Sequence, residues 1–348
     1  MKKKDRSVKR IKLIYCLMGV MVLIMGASVF FMRYKLSSIS KETEQIAQKY
    51  EKHYAMITDE TEKEFWDSVY KAASLEGEER QIYVERFGSN LNHSYSKPEL
   101  VQIAIDAAVD GIILEGDESQ ELTNVIDLAQ ERGIPVVTVK NDCSTSQRIS
   151  FVGISSYNLG RTYGAKLLSL LTEETNKVYV LMDADIADLS QDIVVSGIQD
   201  AVNTVSLGEF DYVIEGVAID SQDAFSSEEA IRDIFLDEKN LPDVMICLNS
   251  VFTKCAFQAA VDYNKVGKLN IIGYYDSDDI LEAVSKNILQ STISIDTESM
   301  GKMSVQALQE YEKTGYVSTY MAVDSRMIGQ YYALSMLEER KQEVEHEK

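Results

Sequence analysis

From His53 onward the chain alternates short apolar β-rich runs with longer helical runs, and this alternation restricts the folds open to it. Strands are expected at 54–58, 81–86, 111–114, 136–139, 150–152, 177–181, 212–216, 244–247 and 270–273. Helices are expected at 64–75, 99–108, 120–132, 159–171, 188–202, 227–236, 253–263 and 279–285. The strand runs are apolar throughout rather than alternating, the pattern of strands covered on both faces. Strand–helix–strand repetition then requires parallel sheets with right-handed crossovers, an α/β architecture. Gly133-Ile134-Pro135 marks one boundary, since proline cannot continue a helix and glycine accepts the left-handed cap. Pro242 plays the same part before 243–248. Ligands on open parallel sheets bind outside the carboxyl ends of the strands. That rule directs attention to 59–66, 140–143, 183–192, 249–250 and 274–279.

The chain has 348 residues, more than one hydrophobic core usually holds, so two lobes are expected. Its formal charge of −21 is unevenly placed. Residues 1–35 hold nine Lys/Arg and a single acid, Asp5, which leaves −29 on the rest. An acidic body of that size repels nucleic acid, and no nucleic-acid partner is expected. The basic end belongs instead beside an anionic membrane surface.

Between the basic cluster and Arg33 runs an uncharged stretch, 13–32. At ~1.5 Å per residue, twenty helical residues cover ~30 Å, the thickness of a hydrocarbon core. The heavier positive flank should remain inside, so 1–12 reads as a cytoplasmic segment, 13–32 as a single-pass signal anchor, and the body as extracellular. A cleaved signal peptide is the rival reading. Gly26-Ala27-Ser28 is small enough for an exit site, but Val29-Phe30-Phe31-Met32 prolongs the apolar run beyond it. A lipoprotein signal needs small residues before its cysteine, and Tyr15 precedes Cys16. Residues 33–52 carry Leu36, Ile39, Thr43, Ile46 and Tyr50 at heptad spacing. Two heptads suit either a short coiled coil or a solvated helical stalk.

Little in the chain suggests catalysis or a cofactor. The four cysteines (Cys16, Cys143, Cys247, Cys255) form no CxxC pair, and three histidines give no zinc spacing. Cys247 and Cys255 read as buried free thiols. The acidic sets Asp183/Asp185/Asp188 and Asp276/Asp278/Asp279 lack the calcium-loop pattern and read as acids at helix N-termini. No Ser/His/Asp or Cys/His set and no phosphate loop appears, so no enzyme, metal or cofactor is expected.

Several motifs fall in a recognisable order. They are Val109-Asp110-Gly111-Ile112-Ile113-Leu114, Gly133-Ile134-Pro135-Val136-Val137-Thr138-Val139, Phe151-Val152-Gly153 and Gly160-Arg161. Later come Ser196-Gly197-Ile198-Gln199, Pro242-Asp243 through Asn249, Ile271-Ile272-Gly273-Tyr274-Tyr275-Asp276-Ser277, and Ser294-Ile295-Asp296 through Met300-Gly301. Over about 52–330 the chain resembles the ribose/galactose-type (type I) periplasmic binding proteins, which share their fold with the sugar-responsive domain of LacI-type repressors. The resemblance implies two Rossmann-like lobes joined by three hinge strands, with a ligand clamped between them. The lobes would be 53–154 plus about 297–320, and 155–295 plus about 321–345. A membrane span replaces the repressors' DNA-binding headpiece.

The resemblance also implies a site. Glu64-Phe65-Trp66-Asp67 stands where the family places aromatics that stack on a sugar ring; Phe65 and Trp66 are candidates, or else core aromatics. Asn249 matches a family Asn that serves a polyol's hydroxyls, although Asn is also a good helix N-cap. Other positions depart from the pattern. Lys140-Asn141 replaces Asp-Arg, Ser155-Ser156 replaces Asp-Asn, and Asp192 replaces an Arg. Tyr275 takes an Asp position with Asp276 next to it, and Ile295 replaces a Gln. Lys140, Asn141, Ser156, Asp192, Tyr275 and Asp276 are therefore candidates in a site whose sugar-reading carboxylates and guanidinium are largely gone. Lys140 suits an anionic ligand such as an acidic sugar, or simply pairs with Asp142 on a solvated loop. The expected ligand is small, polar and sugar-like. The expected protein partner is an ABC permease, or a membrane histidine kinase if the chain is a sensory co-receptor.

Overall fold

The computed structural model describes residues 27–28, 31–33, 49–58, 61–91, 93–173, 177–184, 189–206, 211–220 and 224–346. The chain divides into two units, Met1–Glu51 and Lys52–Lys348. In the first, residues 27–28 and 31–33 are helical. Among the described residues no helix is long and apolar enough to cross a membrane. The expected span at 13–32 and stalk at 33–52 lie mostly outside them.

The second unit holds two six-stranded sheets. The first sheet is built from β1 (Lys52–Ile57), β2 (Ile82–Arg86), β3 (Gly111–Glu115), β4 (Val136–Val139), β5 (Ser150–Gly153) and β11 (Tyr320–Ala322). The second contains β6 (Lys177–Asp183), β7 (Val213–Ile219), β8 (Val244–Cys247), β9 (Asn270–Tyr274), β10 (Ser291–Ile295) and β12 (Ser325–Ile328). Their orders are β11-β5-β4-β3-β1-β2 and β12-β10-β9-β8-β6-β7. All pairings are parallel except β10 with β12. Helices α1 (Lys63–Glu79), α2 (Lys97–Asp106), α3 (Gln120–Glu131) and α9 (Thr297–Thr314) belong to the first lobe. Helices α4 (Ser156–Leu168), α5 (Leu189–Ser206), α6 (Ala224–Leu236), α7 (Ser250–Asp262), α8 (Asp278–Ser285) and α10 (Gln330–His346) belong to the second.

The apolar strand runs become interior strands: every residue of β3, β4 and β8 is buried. Local chemistry fixes the helix starts. Ser96 and Glu99 form a reciprocal capping box at α2, with Pro98 in its first turn. Ser119 caps α3, Ser155 caps α4 and Asp296 caps α9. β10 escapes the sequence pattern because it reads Ser-Thr-Ile-Ser-Ile, yet all five residues are buried. Two of its three hydroxyls are used internally: Thr292 Oγ1 donates to the Tyr275 carbonyl at 2.6 Å and Ser294 Oγ to Asp276 at 3.1 Å, while the buried Ser291 hydroxyl has no partner among the described residues.

The chain passes between lobes three times, from β5 to α4, from β10 to α9, and from β11 to β12. The crossings are tied to each other. Val323 N donates to the Gly153 carbonyl at 2.9 Å, and Asp296 N to the Asp324 carbonyl at 3.1 Å. The strands feeding them, β11, β5, β12 and β10, lie at one edge of each sheet, which leaves β2 and β7 at the far edges. The three crossings are thus gathered at one side of both sheets.

Candidate functional site

A cavity of about 110 Å³ lies between the lobes at the carboxyl ends of both sheets. The loop after β1 contributes Thr61 and Glu62, the end of β3 Glu115, and the turn after β4 Lys140 and Asn141. The other wall includes Ser156 at the start of α4, Asp183 ending β6, Gln191 on α5, Asn249 after β8 and Tyr274 ending β9. This is where parallel sheets bring ligands, because the following helices begin there and their free N–H groups face the crevice.

Lys140 is the electrostatic centre. Its ammonium donates to the Glu62 carboxylate and lies 3.7 Å from Glu115 Oε1. All three are shielded: side-chain exposure is 12 % for Lys140, 6 % for Glu62 and 5 % for Glu115. The ammonium also sits 5.3 Å and 5.7 Å from the ring centroids of Phe65 and Trp66, within cation–π range. The expected pairing with Asp142 does not form. Asp142 is taken by the fork of Arg148 and by the Thr138 hydroxyl at 2.7 Å. Lys140 has φ +69 and Tyr275 φ +75, left-handed values that cost a side-chain-bearing residue roughly 1–2 kcal/mol. The other non-glycine residues with positive φ (Gln81, Ala108, Asn264, Asn287) each follow a helix C-cap. Lys140 and Tyr275 instead follow strand ends, one in each lobe, at the crevice.

Of the nine candidates, Lys140, Asn141, Ser156 and Asn249 line the cavity. Asn141 Nδ2 reaches Glu115 at 3.5 Å. Asn249 also caps α7, its Oδ1 accepting from Phe252 N at 2.7 Å, so both of its readings hold at once. The other five are placed elsewhere. Phe65 and Trp66 are fully buried. Phe65 stands edge-on to Tyr275 at 5.5 Å and near Tyr274 at 6.5 Å, filling the space between lobes with aromatic contacts. Tyr275 OH donates across the crevice to the Glu64 carbonyl at 3.2 Å. Asp276 faces α10: Arg340 NH2 and the Ser294 hydroxyl both donate to its Oδ2 at 3.1 Å. Burial raises its pKa, and Arg340 opposes that shift. Asp192 is an exposed residue of the first turn of α5.

Glu62, Glu115, Asp183, Gln191 and Tyr274 line the cavity but were not among the candidates. All but Glu115 fall in the stretches that the carboxyl-end rule singles out; Glu115 is the last residue of its strand. Gln191 is committed to the β6 end, accepting from Asp183 N at 2.7 Å and donating to its carbonyl at 3.2 Å. Cys143 and Cys247 are buried free thiols, and Cys255 is half-buried with its pKa pushed by burial to about 11. Among the described residues no group of His, Cys, Asp or Glu could hold a metal ion.

The periplasmic binding protein domain family matches residues 54–340. The chain belongs to this family. Its members bind solutes and are not enzymes. Solved structures share the fold. GanP, a glucose-galactose binding protein from Geobacillus stearothermophilus, is 21 % identical with TM-score 0.70, covering 80 % of this chain and 98 % of that one. The XylFII–LytSN complex matches at 22 % identity and TM-score 0.69, covering 80 % and 98 %. A carbohydrate transporter from Acidothermus cellulolyticus in complex with myo-inositol matches at 18 % and TM-score 0.66, covering 82 % and 97 %. No curated protein sequence matches the chain.

Proposed function

We propose that this chain is a membrane-anchored extracytoplasmic receptor that closes its two lobes on a small polar ligand, a sugar or sugar derivative, and delivers it to an ABC importer. The observation that carries the reading is a cavity of mixed polar and apolar lining between two lobes, at the carboxyl ends of both sheets. Family membership supports it, as do fold neighbours described as binding glucose and galactose or holding myo-inositol. The uncharged run at 13–32 with its basic flank supports tethering, with the body outside the cell. At about 110 Å³ the cavity is smaller than the roughly 300–1,000 Å³ typical of ligand pockets, so entry requires the hinge to open.

A second reading is a sensory co-receptor that reports occupancy to a membrane histidine kinase. The fold neighbour XylFII occurs in a complex with a second protein, LytSN, and the heptad spacing after the apolar run suits such coupling. Affinity capture of the full chain from membranes separates the two: a permease supports import, a kinase supports sensing. A thermal-shift screen over sugars, sugar acids, polyols and amino acids tests both, because a ligand that binds only the folded form raises the melting temperature. No shift with any class would remove the receptor reading.

A further inference from the structure

Glu62 occupies the place where a ligand would bind. It is the N-cap residue of α1, yet its side chain makes no capping bond there. The carboxylate crosses to the second lobe instead. Oε1 accepts from both Ser250 N and Ser250 Oγ at 2.9 Å, and Oε2 accepts from Lys140 Nζ. The donors come from opposite lobes, Lys140 after β4 and Ser250 after β8, so the carboxylate bridges the crevice. Lys140 meanwhile covers the aromatic pair that the family pattern reserves for a sugar ring.

We infer that Glu62 is an internal stand-in for an acidic group on the ligand, and that the site takes a sugar acid whose carboxylate displaces Glu62 from Ser250 and Lys140. The inference rests on the receptor reading above and adds the ligand's charge. Charge balance favours it: exchanging one carboxylate for another keeps a counterion beside Lys140, and Glu62 swings out to water, where a carboxylate is well hydrated. A neutral sugar has two poorer options. It can evict Glu62 and set hydroxyls against an ammonium and an N–H that held an anion, or it can leave Glu62 in place and fit about 110 Å³. Hydrogen bonds to a charged acceptor are the stronger kind. The acidic body repels an approaching anion only weakly at physiological salt, where screening acts within ~8 Å.

The test is calorimetric titration of the full chain at pH 7 with hexuronates and aldonates, each beside its parent sugar (D-galacturonate with D-galactose, D-gluconate with D-glucose, and so on through the hexoses). At least one acid should bind tenfold or more tighter than its parent, by roughly the discrimination expected of a charged partner. Glu62→Gln should tighten that acid by about tenfold, since the latched fraction no longer competes. Lys140→Met should erase the preference for the acid. Melting curves verify that each variant folds, and Glu62→Ala, which also removes the competing carboxylate and leaves Ser250 and Lys140 intact, substitutes for Glu62→Gln if that variant does not. Parent sugars binding as tightly as their acids would overturn the inference and leave the sugar-receptor reading standing. No binding by acid or sugar, in wild type and in Glu62→Gln alike, would remove both.

Discussion

Gly160→Ala should destabilise the second lobe although alanine is the better helix former. In an exposed helix this change stabilises by about 1 kcal/mol. Here a Cβ at position 160 would stand 2.1 Å from the Val194 carbonyl oxygen and 3.0 Å from Gly197 Cα. Both are backbone atoms of α5 and cannot rotate away. Gly197 and Gly164 continue the seam: a Cβ at 197 would meet the Tyr157 carbonyl at 2.4 Å, and one at 164 the Ala201 Cβ at 2.6 Å. Helices α4 and α5 touch backbone to backbone along Gly160 and Gly164 against Gly197 and Ala201. Overpacking costs typically about 1–3 kcal/mol, and contacts this short with backbone belong at the upper end. Packing therefore outweighs propensity, and the expected net loss is about 1–2 kcal/mol. Urea unfolding followed by circular dichroism measures it, as a lower midpoint with the slope unchanged. The same two helices carry Ser156, Leu159, Gln191 and Val194 into the cavity wall, so ligand affinity should fall along with stability. A Gly160→Ala chain as stable as wild type, or more so, would refute the close-packing argument.

Three further outcomes follow from buried groups. Lys140→Met leaves Glu62 and Glu115 facing each other without a cation and should cost about 3–5 kcal/mol in urea unfolding, much of it restored by adding Glu62→Gln; an additive cycle would contradict the pairing. Trp66→Ala empties a fully buried site and should cost about 3–5 kcal/mol, whereas a loss under about 1 kcal/mol would place the ring outside the core. Glu76 is pushed up by burial, but hydrogen bonds from Gln306 and Arg80 outweigh that and hold it below its usual 4.5. Its stabilising contribution is present above 4.5 and is lost as pH falls through the lowered value, so Glu76→Gln should flatten the stability profile on the acid side of 4.5. An unchanged profile would show that Glu76 has no part in acid sensitivity.

The sequence revealed the sheets wherever burial on both faces left continuous apolar runs, as in β3, β4 and β8. It hid β10, where Thr292 and Ser294 are buried with their hydroxyls donating to Tyr275 and Asp276. β11 has three residues, and β12 reads Ser-Arg-Met-Ile with only Ile328 buried, so neither makes a buried apolar run. The carboxyl-end rule led to Lys140, Asn141 and Asn249 because strand ends are local features. It could not assign partners. That Lys140 meets Glu62 and Glu115 rather than Asp142 depends on the chain from 62 to 140 folding back on itself. Phe65 and Trp66 were legible as important aromatics, but the second lobe presents Tyr274 and Tyr275 to Phe65, which no local pattern encodes. Glu62 lay within the 59–66 stretch that the rule singled out, but its partners could not be read for the same reason: its acceptor role exists only when the lobes meet.

The central claim is that these lobes open and close, and an inter-lobe distance measures that directly. Leu91 follows β2 and Phe225 follows β7, both at edges far from the hinge, and both are exposed at 44 % and 69 %. Spin labels at Leu91→Cys and Phe225→Cys, with Cys16 and Cys255 replaced by Ser, report the distance by pulsed electron resonance. The account predicts a short distance in the Glu62 chain, longer distances in Glu62→Gln, and a return to the short one when the tightest-binding sugar or sugar acid is added. One distance, indifferent to both the substitution and the ligand, would contradict it.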